Sequence, residues 1–357
     1  VKAFSRIRGQ EQAVSILSAA LESGRLAHAY LLTGPQGTGR LSIALDLAAS
    51  WLCSSEENGY CGECVHCRRI FDFTHPDVRL TLPVTSSISP EQIMELLLAR
   101  RDDGMTPLRF EGNTSIKISQ VRELVRRMAM KSFEGRGRVE LILDADRITV
   151  QAANALLKTL EEPTDGTLIV LSTSFYTRIL PTIRSRAHLI RLSRIPVELI
   201  IRELVDRMGI DEQEASGIAS ASDGSIGNAL LLTSQDRSEC RISVNILSEL
   251  ADCDSSSDVS GLASRLVKEF GRDGLLVLCR DARSVVHDIR RRKADRLPLR
   301  MEPEPIPGEG IDDYLESVMY AFTECESMLS RNVMPAMALN AALIGCWELL
   351  REGGSQV

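Results

Sequence analysis

Gly34-Pro35-Gln36-Gly37-Thr38-Gly39-Arg40-Leu41 stands between two segments that set the class of the first half of the chain. Before it runs His28-Ala29-Tyr30-Leu31-Leu32, a short apolar stretch that reads as a buried strand; behind it, Leu41 to Trp51 carries apolar residues at helical spacing. A glycine-rich turn between a strand and a helix is the context in which backbone N–H groups cradle phosphate. Val14, Leu17 and Leu21 place one more helix ahead of the strand. Further on, Val139-Glu140-Leu141-Ile142-Leu143 and Leu168-Ile169-Val170-Leu171 read as buried strands, with a helix from Val150 to Leu160 between them that Pro163 closes. Alternation of this kind predicts an α/β domain: a mostly parallel sheet flanked by helices.

The loop itself departs from a working phosphate site. Such a loop carries Lys at its seventh position to reach the terminal phosphates, followed by a hydroxyl that holds magnesium. Here those positions are Arg40 and Leu41. Arginine keeps the charge without the compact ammonium, and leucine cannot ligate a metal. Three readings of Gly34, Gly37, Gly39 and Arg40 stand side by side: a turn that only joins strand to helix, a loop that binds nucleotide without turnover, and a competent ATP site. The acidic strand end bears on the third. Anchoring Ile142-Leu143-Asp144-Ala145-Asp146-Arg147 on Asp146 puts Leu143 at the metal-facing position and Asp144 where a catalytic Glu belongs. A slip by one restores an Asp and loses the Glu, so either register leaves the pair incomplete.

Beyond Leu189-Ile190-Arg191-Leu192 the strand signals stop. Pro196 opens a helix, a second helical stretch ends near Gly224, and from about Ser238 the pattern is helical, interrupted by a turn at Asp252–Ser260 and a proline-rich loop from Pro298 to Pro307. The expected organisation is an α/β domain over 1–190, a small helical domain over 191–236 and an all-α domain over 237–357. Pro83 to Asn113 reads as an insertion with a helix from Pro90 to Arg101. The 357 residues fit two or three domains, and 44% hydrophobic with 25% charged residues is ordinary globular composition, which excludes collagen-like, disordered and disulfide-scaffold classes. No apolar stretch has membrane-spanning length, and Val1 to Arg6 has no apolar segment behind it, so the expected compartment is the cytoplasm. With 42 basic against 49 acidic residues, the chain is not expected to hold DNA by its own surplus of positive charge. Its one basic run, Arg290-Arg291-Arg292-Lys293 with Arg296, reads as a solvated helix end that suits the helix dipole, with a nucleic-acid patch as the alternative.

Four of the nine cysteines, Cys53, Cys61, Cys64 and Cys67, fall in one segment at 53–67. Two successive Cys-x-x-Cys steps turn their sulfurs toward one point, and four thiolates close the tetrahedral shell of a structural Zn²⁺. A redox pair at Cys61 and Cys64 would not need the other two, and stable disulfides are disfavoured in the cytosol. His66 and His75 stand nearby as substitute ligands, but four cysteines leave no vacancy for them. The remaining five (Cys240, Cys253, Cys279, Cys325, Cys346) read as bystander thiols.

Ala152-Ala153-Asn154-Ala155-Leu156-Leu157-Lys158-Thr159-Leu160-Glu161-Glu162-Pro163 resembles the signature segment of bacterial replicative clamp-loader subunits, the gamma/tau and delta prime group of DNA polymerase III. Gly9-Gln10-Glu11, His28-Ala29-Tyr30, His75-Pro76-Asp77, Ile118-Ser119-Gln120-Val121-Arg122-Glu123-Leu124 and Pro181-Thr182-Ile183-Arg184-Ser185-Arg186 match in order, over about the first 190 residues. The resemblance implies an AAA+ fold with an inserted zinc module, a helical lid and an all-α collar that oligomerises. Within the group, gamma/tau subunits are ATPases and delta prime is a non-hydrolysing relative with a degraded loop; Arg40, Leu41 and the incomplete acidic pair favour the latter and weigh against ATP binding in cis. Gly227, in Gly224-Ser225-Ile226-Gly227-Asn228-Ala229, stands where the ATPases carry an arginine. Ser185-Arg186-Ala187 resembles the Ser-Arg-Cys motif, which implies that Arg186 is offered to the ATP of a neighbouring subunit. The implied partners are gamma/tau and delta subunits, with the sliding clamp and primer-template DNA met through the assembly. A gamma-type ATPase and an inert AAA+ scaffold outside replication are the rival readings.

Overall fold

Five strands form one parallel sheet: β1 (Ala29–Thr33), β2 (Val78–Thr81), β3 (Arg138–Ile142), β4 (Thr167–Thr173) and β5 (His188–Arg191), in the order β2-β3-β4-β1-β5. The computed structural model describes the chain outside residues 1–2, 56–58, 86–87, 100–104, 107–113, 235–245, 247–248, 294–310, 331–332 and 354–357. Register follows the apolar alternation along each strand. Leu31 pairs with Leu171 and faces one core, while Leu141 pairs with Val170 and faces the other. Side chains of a strand point to alternate faces, so a run that is apolar throughout must be covered on both.

Helices α1 (Glu11–Glu22), α2 (Arg40–Leu52) and α3 (Val65–Phe71) cover the Leu141 face, packing Leu17, Ile43, Leu47 and Ile70 against Tyr30, Leu32 and Leu168. The helix α4 (Pro90–Leu98) carries a full capping box at Ser89 and Gln92. On the other face α5 (Ile118–Met128) and α6 (Val150–Glu161) bury Val121, Leu124, Ala152 and Leu156 against Leu31, Ile142 and Ile169. A short α7 (Pro181–Arg184) precedes β5. Then α8 (Val197–Met208), α9 (Glu212–Ala221) and α10 (Ile226–Ser234) gather around Ile200, Leu204, Ala215 and Ile226, a core that also takes Met105.

A second compact unit begins at Thr233. In it α11 (Ser256–Lys293), α12 (Ile311–Ser330) and α13 (Pro335–Gly353) pack around Leu266, Leu275, Phe322, Leu329 and Leu343. Gly271 breaks α11 with φ 60° and ψ −175°, so the element is two helices joined at a kink. Among the described residues, no helix is long and apolar enough to cross a membrane.

Several sequence expectations shift. The turn expected over Asp252–Ser260 ends sooner, because Ser255 and Asp258 cap each other (Ser255 N to Asp258 Oδ2 2.9 Å, Asp258 N to Ser255 Oγ 3.3 Å) and the helix starts at Ser256. Pro196 caps α8 and Val197 is its first residue. The helix expected to reach Arg101 stops at Leu98. The edge strand β2, only four residues long and alternating Val, Arg, Leu, Thr, was not expected from the sequence. The proline-rich stretch from Pro298 to Pro307 and Arg296 lie outside the described residues, as do the side chains of Arg290, Arg291, Arg292 and Lys293.

Candidate functional site

The loop Gly34–Gly39 leaves the C-terminal end of β1 and enters α2, where a phosphate would meet backbone N–H groups. It is held from both sides by its own chain. Gln10 donates to the carbonyls of Thr38 (3.3 Å) and Ser193 (2.8 Å) and accepts from Ser193 N (2.9 Å), tying the loop to the end of β5. Across the loop, the start of α10 closes in: Ser225 Oγ donates to the Gln36 carbonyl at 2.8 Å, and Gly227 N to that of Gly37 at 2.9 Å. A Cβ on Gly37 would stand 2.8 Å from Gly227 Cα, and one on Gly227 would stand 2.1 Å from the Met105 carbonyl. Backbone packs on backbone here, so Gly227 is required by closeness and leaves no space for a longer side chain.

The charges of the loop are likewise taken up internally. Arg40 is buried and paired with Asp144 at 3.4 Å. Asp146 accepts from Thr173 Oγ1 at 2.5 Å, and burial, with Asp144 nearby, pushes its carboxyl above the usual range. What remains open is a cavity of about 50 Å³ lined by Gln36, Gly39, Arg40, Met105, Asp144 and Ser172, among others. That is room for one or two waters, whereas small-molecule sites run to about 300–1,000 Å³. Among the described residues, the space beside the loop is smaller than small-molecule sites usually offer.

Cys53 ends α2, Cys64 caps α3, and Cys61 and Cys67 complete the set; their four sulfurs lie within 4.8 Å of one another, Cys61 to Cys67 at 3.9 Å. Four sulfurs about 2.3 Å from one ion sit about 3.8 Å apart, so the arrangement fits tetrahedral zinc. Gly62, at φ 80°, makes the turn that brings Cys61 and Cys64 together. Backbone N–H groups aim at the sulfurs: Cys61 at Cys53 (3.3 Å), Cys64 at Cys61 (3.2 Å) and Cys67 at Cys64 (3.4 Å). At Cys64 burial opposes the charged form, but the N–H donors of Cys67 and Ser54 outweigh it and hold the thiol down to about 5. At Cys67 burial pushes the thiol up.

The histidines beside this cluster group with Glu134. His66 Nδ1 lies 2.6 Å and His75 Nε2 3.2 Å from Glu134 Oε2, and Arg69 pairs with the same carboxylate at 3.0 Å. His75 Nδ1 accepts from Asp77 N at 3.1 Å, which places the proton of the neutral ring on Nε2, facing Glu134. In that tautomer the ring donates toward Glu134. Asp77 in turn accepts from the backbone of Phe133 (2.7 Å) and Glu134 (2.8 Å). The His75-Pro76-Asp77 segment thus fastens the loop before β3 to the cysteine module. Glu134 has no signal in the sequence; it is 59 residues from His75 and 68 from His66, and no local spacing marks it.

Ser185 and Arg186 follow α7 on the surface, 31% of the Arg186 side chain being accessible. Arg186 donates to the Thr182 carbonyl at 2.8 Å and to Ser185 Oγ at 3.2 Å, and it pairs with Glu161 at the end of α6. Ala187 packs against the core under α6. Arg184 stacks on Tyr176, its guanidinium 4.9 Å from the ring centre. The structure brings Arg40, Asp144 and Asp146 together at one strand end and leaves Arg186 half-buried near the surface, paired with Glu161.

Residues 9–196 match the family described as DNA polymerase III, delta subunit. The chain is 32% identical over 198 residues to the DNA polymerase III subunit delta' of Bacillus subtilis, covering 56% of this chain and 52% of that protein. It is 37% identical over 161 residues to the delta' subunit of Pseudomonas aeruginosa, covering 45% and 41%. Against the gamma/tau subunit of Mycobacterium tuberculosis the identity is 33% over 186 residues, covering 52% and 28%. The chain therefore spans about half the length, or less, of the curated relatives it matches. Among solved structures, the Thermotoga maritima RuvB Holliday junction branch migration motor is a loose likeness, at TM-score 0.41 and 17% identity over 82% of this chain and 80% of that one.

Proposed function

The chain belongs to the DNA polymerase III delta subunit family, within the clamp-loader group that includes delta' and gamma/tau, and from that membership we propose that it is a clamp-loader subunit that hydrolyses no ATP itself. The observation that carries this reading is the filled phosphate loop: Arg40 spent on Asp144, Gly227 seated on Gly37, and about 50 Å³ of open space. A gamma-type ATPase would need that space for a triphosphate and magnesium. The chain acts instead as a rigid partner in the cytoplasm, assembling with gamma/tau and delta subunits through a helical collar at 237–357, with a lid at 191–236. It reaches the sliding clamp and primer-template DNA through that assembly.

Arg186 is its contribution to chemistry. A guanidinium placed at a neighbour's γ-phosphate stabilises the charge that spreads over the phosphoryl oxygens at the transition state. Thr182 and Ser185 orient its Nη1 edge. Cys53, Cys61, Cys64 and Cys67 would hold a structural zinc, which when bound supplies a cross-link and no reaction step.

Reconstitution with gamma/tau and delta subunits tests the proposal. The isolated chain is expected to show no Mg-ATP turnover, and Arg186→Ala to depress the ATPase of the assembled complex while leaving the fold and the assembly intact. Turnover by the isolated chain would favour the gamma-type reading, and an unchanged assembled rate would remove Arg186 from the mechanism.

A further inference from the structure

The guanidinium of Arg186 is held by three groups of its own chain, and they are not equivalent. The Thr182 carbonyl and Ser185 Oγ are neutral acceptors, both at Nη1. Glu161 takes Nη2 with a full negative charge. The first two orient the group and leave its charge available. Glu161 cancels that charge and occupies an N–H edge that a phosphate oxygen would use, since carboxylate and phosphate compete for the same planar fork.

Glu161 is the last residue of α6, and Arg186 lies two residues past α7. The pair therefore links the ends of two short elements whose positions the core fixes through Leu160 and Ile183, both buried. Neither charged side chain is buried: 31% of Arg186 and 47% of Glu161 is accessible. Pairs this exposed shift an equilibrium by about two- to fivefold, which the several charges of a triphosphate overcome.

The geometry points to Glu161 as a positioning residue for the trans arginine: it stores the guanidinium against α7 in the free subunit and competes with the neighbour's phosphates for it in the assembly. This rests on the reading of Arg186 as the group offered in trans. Hand-over is then an exchange of one anion for another on Nη2, with Thr182 and Ser185 keeping hold of Nη1 throughout.

Steady-state ATPase of the complex reconstituted with gamma/tau and delta subunits separates the cases. Glu161→Gln, which keeps the shape and loses the charge, is expected to raise kcat/KM for ATP by about two- to fivefold. Glu161→Asp, which keeps the charge, should stay near wild type. In an Arg186→Ala background Glu161→Gln should change nothing, a non-additivity that a merely structural role would not produce. A Glu161→Gln rate at or below wild type, or an effect that persists without Arg186, overturns the inference. If Arg186→Ala leaves the rate unchanged, the trans-arginine reading falls and this one with it; if Arg186→Ala lowers the rate while Glu161→Gln is flat, only the storage role is lost.

Discussion

Gly227 shows how differently one residue reads in sequence and in space. In the sequence it is the place where related ATPases carry an arginine, so it registers as a lost function. In the structure its Cα faces Gly37 and the Met105 carbonyl, and a single added methyl would stand 2.1 Å from that oxygen. Neither partner is a flexible side chain that can swing away. Gly227→Ala is therefore expected to destabilise the α/β unit by about 1–3 kcal/mol, the usual cost of overpacking a well-filled site, read as a lower urea midpoint. Gly227→Arg should cost more and restore no nucleotide binding, since the arginine would first have to force α10 off the loop. A Gly227→Ala midpoint equal to wild type would mean that Met105 yields without cost. The departures at Arg40 and Leu41 were legible because those positions carry chemical duties in a phosphate-binding loop. The reason for Gly227 was not, because it depends on Met105, over a hundred residues away.

At the scale of elements, the cysteine module is the part that sequence spacing conveyed best and tertiary pairing conveyed worst. Two Cys-x-x-Cys steps specify a local turn, and the four sulfurs do converge. The spacing does not tell what α3 leans on. Its His66 and Arg69 meet Glu134, whose backbone is pinned by Asp77, so the short helix joins the sheet through charged hydrogen bonds as well as through Cys67 and Ile70. A seven-residue helix has little stability of its own. Zinc removal is thus expected to loosen α3 and the 53–67 segment while the sheet stays closed. Elemental analysis of freshly purified, reduced protein should find one zinc per chain, and Cys64→Ser should lose it. Amide hydrogen exchange should then rise over 59–71 and stay slow in β1, β3 and β4. Full zinc retention by Cys64→Ser with unchanged exchange would count against the four-sulfur site. The edge strand β2 escaped the sequence reading for a related reason: four alternating residues become a strand only because β3 offers them a register.

Across the whole molecule, the central strands were readable because burial on both faces leaves largely apolar runs, and the carboxylate buried within β3 has a consequence for the stability of the α/β unit. Glu140 sits inside β3, 1% exposed, with Arg127 at 3.9 Å. Burial pushes its carboxyl up to about 7, against the pull of Arg127, Arg138 and Arg79. Between its ordinary value of 4.5 and about 7, the folded chain keeps a proton that the unfolded chain has released. The unfolded state binds fewer protons in that window, so stability falls as pH rises through it. At 1.36 kcal/mol per pKa unit, a window of this width corresponds to about 3 kcal/mol. Asp46, raised by burial despite its pair with Arg6, and Asp146 contribute with the same sign. The slope of wild type alone would mix these groups. Urea unfolding of the full chain at pH 5, 6 and 7, compared with Glu140→Gln, isolates the one carboxyl: the variant should lose part of the decline, and the difference between the two chains should change through the window and level off above about pH 7. Parallel slopes would show that Glu140 is already ionised in the folded protein, with the arginines outweighing its burial.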